Sequence, residues 1–347
     1  MPCVSEGCAE KSRMTNATST RGIDALMEKN VAETLRGDVT TGTLYKGKVL
    51  WKFYEKSHQY WASLDGGKTY KRKTGASTYI GIKDKSKPLG IWQQQVTADF
   101  LLAKIEAGVK IDIDLALEAC VQNDIQREGA ADIGKEIHAW CEAYIRNQLK
   151  QKGFEKLPAI PDFPEAVTGV NAFMAWLEAH KVKFITTERK VYSRKHDFMG
   201  MLDFEAEIDG EVCLGDFKSS TGLYNSVRMQ TAAYAEADME ERGKRLYAGR
   251  WAVRLSKLTE AEYHKKEERK QEMKRAIARI QGKDFKEYPI KPYRVFEAVF
   301  LDDDRRAMKH DFGAFLLCKG LTEWDRATNG WGENWSIDQA DYTKLTG

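Results

Sequence analysis

Residues 200–220 read GMLDFEAEIDGEVCLGDFKSS, and this stretch decides the fold. Apolar and polar residues alternate on both sides of Asp209-Gly210, the pattern of two strands joined by a two-residue hairpin turn. A turn centred there sets Asp203 opposite Asp216, and directly opposed residues of an antiparallel pair face the same side of a sheet. Lys218 stands two residues beyond Asp216 and leaves from that same side. Two facing carboxylates are unfavourable unless a cation lies between them, and oxygen ligands suit Mg²⁺ or Mn²⁺. A neighbouring lysine can steady developing negative charge or orient a water. The alternative is a solvated ladder of surface charges. Leu202, Phe204, Leu214 and Phe217 alternate with the charged positions, however, which sets the carboxylates in core strands.

Outward from the hairpin, periodicity predicts strands at 184–192, 198–208 and 211–218, preceded by a helix at 165–180. A helix at 227–242, a strand at 246–256, a charged helix at 258–281, a strand at 293–301 and a final helix follow. Upstream, helices are expected at 91–106, 115–127 and 131–149; Ile133, Ile137, Trp140, Cys141, Tyr144 and Ile145 mark the apolar face of the last. Residues 151–164 hold three of the seven prolines and form a loop. Between about 46 and 79, HQYWASL, Asp65-Gly66 and GKTYKRKTG read as another hairpin. The expected class is α/β (α+β): a central mixed sheet flanked by helices, with an N-terminal helical and hairpin elaboration. The expected division is a flexible tail at 1–22, the elaboration at 23–128 and the core at 129–347 with a C-terminal helical extension. Trp324, Trp331 and Trp335 near the C-terminus are expected to cap the core.

Asp203 followed by Asp216-Phe217-Lys218 resembles the D…(D/E)-x-K core of the PD-(D/E)XK nuclease superfamily. Three further matches resemble its RecB-like exonuclease branch. Gly134-Lys135-Glu136-Ile137-His138 is similar to that branch's G-x-x-x-H helix, Gly200 and Asp203 to its G-x-x-D motif, and Gln230 through Tyr234 to its Q-x-x-x-Y helix. Leu202 stands where the superfamily's proline would be. The resemblance implies a restriction-endonuclease-like core and one or two Mg²⁺ or Mn²⁺ ions held by His138, Asp203, Asp216 and the Phe217 carbonyl. Lys218 would assist the attacking water, completing a catalytic set of Asp203, Asp216 and Lys218. Glu188 resembles an acidic position often seen in the first strand of this branch. The implied activity is hydrolysis of DNA, as an exonuclease at DNA ends in phage or bacterial recombination and repair. Alternatives are an endonuclease of the same fold, a DNA-binding module without catalysis, or a scaffold protein with no nucleic-acid partner.

Further residues are candidates for binding. Gln230 and Tyr234 lie four apart on one helical face and could contact a nucleic-acid strand or brace the site. The stretch from Lys68 to Lys87 holds seven lysines and arginines against Asp84, a net of +6, with Tyr70 and Tyr79 interleaved. Lys71, Arg72 and Lys73 are therefore candidates for contact with the phosphate backbone. The helix at 257–286 carries ten basic and six acidic residues in alternation, which reads mainly as a solvated helix. ASLDGGKT at 62–69 approaches a phosphate-binding loop but lacks its first glycine and lies in a hairpin, so no nucleotide cofactor is expected. Some relatives in the branch hold an iron–sulfur cluster on cysteines grouped near the C-terminus. Here only Cys318 lies late, and no cluster is expected.

The whole chain is nearly balanced in charge, 55 Lys and Arg against 52 Asp and Glu among 347 residues, so charge distribution rather than net charge points to a partner. The N-terminus has no apolar leader, no membrane span is expected, and the six scattered cysteines suit a reducing, cytoplasmic setting with mostly buried, unpaired thiols. Self-association or a recombination partner protein is also compatible with the resemblance.

Overall fold

The computed structural model describes residues 39–244, 247–304 and 306–328. The expected tail at 1–22 and the tryptophans Trp331 and Trp335 lie outside them. The chain divides into two compact units between Gly75 and Ala76.

In the first unit, β1 (Val39–Leu44), β2 (Val49–Tyr54), β3 (Gln59–Ser63) and β4 (Lys71–Lys73) form an antiparallel meander in that order. Val49 and Phe53 of β2 are buried, and Tyr60 and Ala62 of β3 are buried on either side of the half-buried Trp61, which is the period-two pattern of a one-sided sheet. The connection between β3 and β4 is not the two-residue turn expected at Asp65-Gly66 but the longer loop 64–70. Side chains brace it. Asp65 accepts from the Ser63 hydroxyl at 2.6 Å and the Thr69 amide at 3.0 Å, and Ser63 Oγ accepts from the Gly67 amide at 2.9 Å. These bonds offer the backbone an alternative to a tight hairpin and hold the Asp65 carboxyl far below its ordinary range, the Ser63 bond being the largest cause.

The second unit contains helices α1 (Ala76–Ile80), α2 (Ser86–Glu106), α3 (Ile113–Gln148) and α4 (Pro164–Ala179), then strands β5 (Val182–Ser193), β6 (Phe198–Ile208) and β7 (Glu211–Lys218). Helix α5 (Ser226–Arg242), β8 (Gly249–Leu255), α6 (Glu260–Ile280), β9 (Phe296–Phe300) and α7 (Ala307–Thr328) complete it. The sheet order is β5-β6-β7-β8-β9; only β7 and β8 run parallel, joined by the α5 crossover. The protein is thus α+β with a mixed sheet. Asp209 and Gly210 both have positive φ, +52° and +97°, as a type I′ turn requires, and the ladder it starts runs from Ile208↔Glu211 to Phe204↔Gly215.

The sheet is covered on both faces. Ile137, Cys141 and Ile145 of α3 and Phe173 and Trp176 of α4 pack on Phe204, Ala206, Phe217 and Val253. Met229, Ala233 and Tyr234 of α5 and Phe315 of α7 pack on Val191, Phe198, Leu202 and Leu214. The two helices expected at 115–127 and 131–149 are one helix of 36 residues, about 54 Å long at 1.5 Å per residue. Gly129 at the expected break costs about 1 kcal/mol relative to alanine, which packing at the helix's two ends offsets. Leu115 and Ala119 are buried in its first half; Gly134, Ile137, Cys141 and Ile145 are buried in its second. Asp112 caps it by accepting from the Leu115 amide at 2.9 Å. Trp324, expected to cap the core, is 53% exposed on α7. Among the described cysteines Cys141 and Cys213 are buried, Cys318 is half-buried and Cys120 is exposed. No described helix is long and apolar enough to cross a membrane.

One fully buried charge ties the second unit together. Arg250 of β8 forms two parallel bonds to Asp302 at 2.6 and 2.9 Å, another to Asp311 of α7 at 2.8 Å, and donates to the Arg228 carbonyl of α5 at 2.7 Å. Removing one member of such a group strands the others' charges away from water. Arg250→Ala is expected to lower unfolding stability by about 3–5 kcal/mol. Urea titration reads this directly, and an unchanged midpoint would show that the network contributes nothing.

Candidate active site

The site grows from the end of the β6–β7 ladder. Asp203 and Asp216 occupy the next register position after Phe204↔Gly215, but they are not a ladder pair. Instead the Asp203 carboxylate accepts the Phe217 amide at 2.7 Å. Alternation also breaks here: Leu202 packs toward α5 and Phe204, two residues on, toward α3 and α4. On the adjoining strand a register shift between Phe184 and Thr186 and a positive φ of +51° at Glu188 accompany the break. The expectation of directly opposed carboxylates is therefore corrected in detail. The register carries as far as Gly215, after which a side chain enters the ladder.

Around the two carboxylates the contacts run in series. His138 Nδ1 of α3 lies 3.6 Å from Asp203 Oδ2. Lys218 Nζ lies 2.6 Å from Asp216 Oδ2 and donates to Gln230 Oε1 at 3.3 Å. The Gln230 amide nitrogen donates to Asp216 Oδ1 at 3.1 Å and meets the Tyr234 hydroxyl at 3.0 Å. Five of the expected residues, His138, Asp216, Lys218, Gln230 and Tyr234, thus gather around the Asp203–Phe217 bond. Gln230 and Tyr234, considered as contacts for a substrate strand, are turned inward: Tyr234 is buried and the Gln230 amide is engaged by the acid and the lysine. Lys71, Arg72 and Lys73 lie on β4 of the first unit.

Two motif glycines are close approaches. A Cβ on Gly200 would lie 2.2 Å from Tyr234 Cε1, and one on Gly134 would lie 2.8 Å from Ser219 Oγ. Gly200 lets the Tyr234 ring lie against β6, and Gly134 lets Ser219, the neighbour of Lys218, lie against α3.

The electrostatics are those of too much buried negative charge. Burial pushes the Asp216 carboxyl up to about 6 against the pull of Lys218, with Asp203 adding repulsion. Burial likewise raises Asp203, though Lys218 and the Phe217 amide oppose it. Glu188 is raised to about 8 by burial and then by Asp203 and Glu142. The Lys218 ammonium loses by burial but gains more from Asp216 and Asp203, so it stays charged. Burial and the Lys218 charge lower His138, leaving a neutral imidazole near neutral pH, the form that ligates metals. Glu188 and Glu142 are the acids that a linear motif reading undervalues; only the fold carries them to Asp203.

These residues suit a divalent cation chemically. They provide crowded carboxylates with raised affinity for protons and a neutral imidazole. Among the described residues, however, no three His, Cys, Asp or Glu side chains converge as a ready-made cluster, and Asp216 is held by Lys218 and Gln230. No protein-family model matches the chain and no curated protein matches its sequence. A family reading therefore rests on the motif residues themselves.

Two outcomes follow from this geometry. In metal-free buffer the folded protein holds a proton on Glu188 that the unfolded chain releases near 4.5, so stability is complete below that pH and is lost as pH rises towards about 8. Glu188→Gln removes the loss; its melting temperature should exceed wild type at about pH 9 and match it at about pH 4, and equal curves at both would refute the burial of this charge. Gly200→Ala overpacks Tyr234 and should cost about 1–3 kcal/mol. Thermal unfolding of that variant indistinguishable from wild type would show that the ring has room to move.

Proposed function

We propose that the protein is a divalent-metal-dependent DNA nuclease of the PD-(D/E)XK type, RecB-like branch, with a restriction-endonuclease-like core. The observation that carries this reading is the hydrogen-bonded series Tyr234–Gln230–Asp216/Lys218, joined at the ladder's end to Asp203 and His138. A solvated surface ladder would not bury two acids and hold a lysine between an acid and a glutamine.

His138, Asp203, Asp216 and the Phe217 carbonyl are the groups that would hold Mg²⁺ or Mn²⁺, with Glu188 within electrostatic reach of Asp203. When bound, the ion supplies polarisation of the phosphodiester and a water of lowered pKa. Lys218 keeps its proton at neutral pH and so offers a fixed positive charge where negative charge develops on the phosphate. Gln230 holds Asp216 Oδ1 and the lysine at once, fixing their separation, and Tyr234 fixes Gln230. Asp203, held by the Phe217 amide, keeps one carboxylate oxygen in place without side-chain freedom. The most economical substrate is a DNA end, in recombination or repair.

A second reading is a DNA-binding module without catalysis. The Lys218–Asp216 ion pair favours it, since the ammonium occupies the oxygen that a metal would need. Incubation of end-labelled linear and closed circular DNA with Mg²⁺, Mn²⁺ or EDTA separates the two. Asp216→Asn and Lys218→Met should each lower cleavage by about 10²-fold or more while DNA binding persists, because each removes a group that acts on developing charge. Metal-dependent digestion that survives Asp216→Asn would overturn the nuclease assignment at this site.

A further inference from the structure

A groove of about 390 Å³ runs between α2 and α6 in the second unit. Lys265, Lys266, Arg269 and Lys270 of α6 line it, against two acids, Asp99 and Glu262. Both acids are engaged. Asp99 accepts from Arg269 at 3.4 Å, and Glu262 closes a capping box with Thr259 at 2.8 Å. Arg269 also reaches Glu106 at 3.3 Å, so it joins the two walls. Lys265 and Lys266 are exposed and have no ion-pair partner among the described residues. Lys270 pairs with Glu267 at 3.3 Å, so the alternation of signs along α6, which reads as a solvated helix, is resolved by the fold into a face whose acids are used and whose Lys265 and Lys266 ammonium groups have no ion-pair partner among the described residues.

The groove adjoins the carboxylate site through α3. Lys257, one residue before the groove-lining Leu258, donates to the Ala130 carbonyl at 3.1 Å. Burial and then the Lys266 charge lower the Lys257 ammonium, which marks the two as neighbours. Ala130, Gly134 and His138 are spaced by four and share one face of α3. Gly134 carries Ser219 and His138 faces Asp203. From Ala130 to His138 is about 12 Å at 1.5 Å per residue, three or four nucleotide steps at a rise of about 3.4 Å.

We propose that the α2–α6 groove binds the phosphodiester backbone of a single nucleic-acid strand and leads it along α3 to the carboxylate site. The inference rests on the nuclease reading for its ligand, though strand binding can be measured without cleavage. Two helices that Arg269 holds within side-chain reach leave room for one strand and not for a duplex about 20 Å across. Phosphate contacts of this kind position a strand without reading its sequence.

The test uses the full chain and a 5′-fluorescein dT20 strand in EDTA, followed by anisotropy over a KCl series. Lys265→Glu/Lys266→Glu should weaken binding about tenfold or more and reduce the salt slope by about 1.4, two phosphates at about 0.7 each. Lys265→Gln/Lys266→Gln should show an intermediate loss, and circular dichroism of both variants should match wild type. An unchanged affinity and slope, or a wild-type chain that does not bind dT20, would overturn the groove. Cleavage of the same strand with Mg²⁺ reports the nuclease reading separately. Salt-sensitive binding that depends on Lys265 and Lys266, with no cleavage by wild type, would leave the groove standing and remove the nuclease. Cleavage lost in Asp216→Asn, with dT20 binding unaffected by the lysine changes, would do the reverse.

Discussion

The hydrogen bond from the Phe217 amide to the Asp203 carboxylate decides how the sheet ends. A backbone donor inside a sheet must find an acceptor, and here a side chain from the neighbouring strand supplies it. The ladder stops at Phe204↔Gly215 and the side chains of β6 change sides, Leu202 facing α5 and Phe204 facing α4. The opening this creates sits between helices from opposite faces. His138 of α3 reaches Asp203 and Gln230 of α5 reaches Asp216. A regular ladder would keep those two helices apart; the interruption is what lets both contribute.

Helix α5 must be held firmly for Gln230 and Tyr234 to act as braces, and buried charge does this at both of its ends. Near its N-terminus Arg228 bonds Asp311 and the Leu301 carbonyl, while its own carbonyl accepts a hydrogen bond from Arg250. Near its C-terminus Asp238, fully buried, pairs with Arg189 and Arg242 and accepts from the Tyr247 hydroxyl at 2.6 Å. Arg242 also makes two bonds to Glu205 of β6. Such groups add little net stability compared with apolar packing, but they give α5 one rotational setting and one axial position against the sheet. The geometry around Asp216 is inherited from that setting.

Much of the second unit was legible in the sequence. Alternation about Asp209-Gly210 defined the hairpin and its register, the mixed sheet followed from the hairpin and the α5 crossover, and helical periodicity found α4, α5 and α6. What periodicity could not show was where tertiary bonds override local pattern. The Asp203 wedge breaks a register that the sequence alone would continue. Ser63, Asp65 and Thr69 lengthen a loop where Asp-Gly suggests a tight turn, and α3 runs through Gly129 because both halves are packed. In the site, residues close in sequence order were found by spacing. Glu188 carries only its place in the first strand as a signal, and Glu142 carries none, because a strand irregularity and a helix face are what bring them to Asp203.

The two-residue turn at Asp209-Gly210 has a consequence for how this chain can vary. Its end is clasped, with Asp209 accepting from His180 and the Lys181 amide at 2.8 and 2.9 Å, so the turn is fastened to the end of α4 as well as to its own strands. Adding or removing one residue there would rotate every side chain of β7 to the opposite face, carrying Asp216 and Lys218 away from Gln230 while sending Phe217 out of its aromatic nest. Loop tips elsewhere on a protein absorb insertions readily; this one behaves as a spacer of fixed length. Changes in length among descendants of this chain should therefore collect in the 151–163 segment or the 282–295 connection, and spare these two residues.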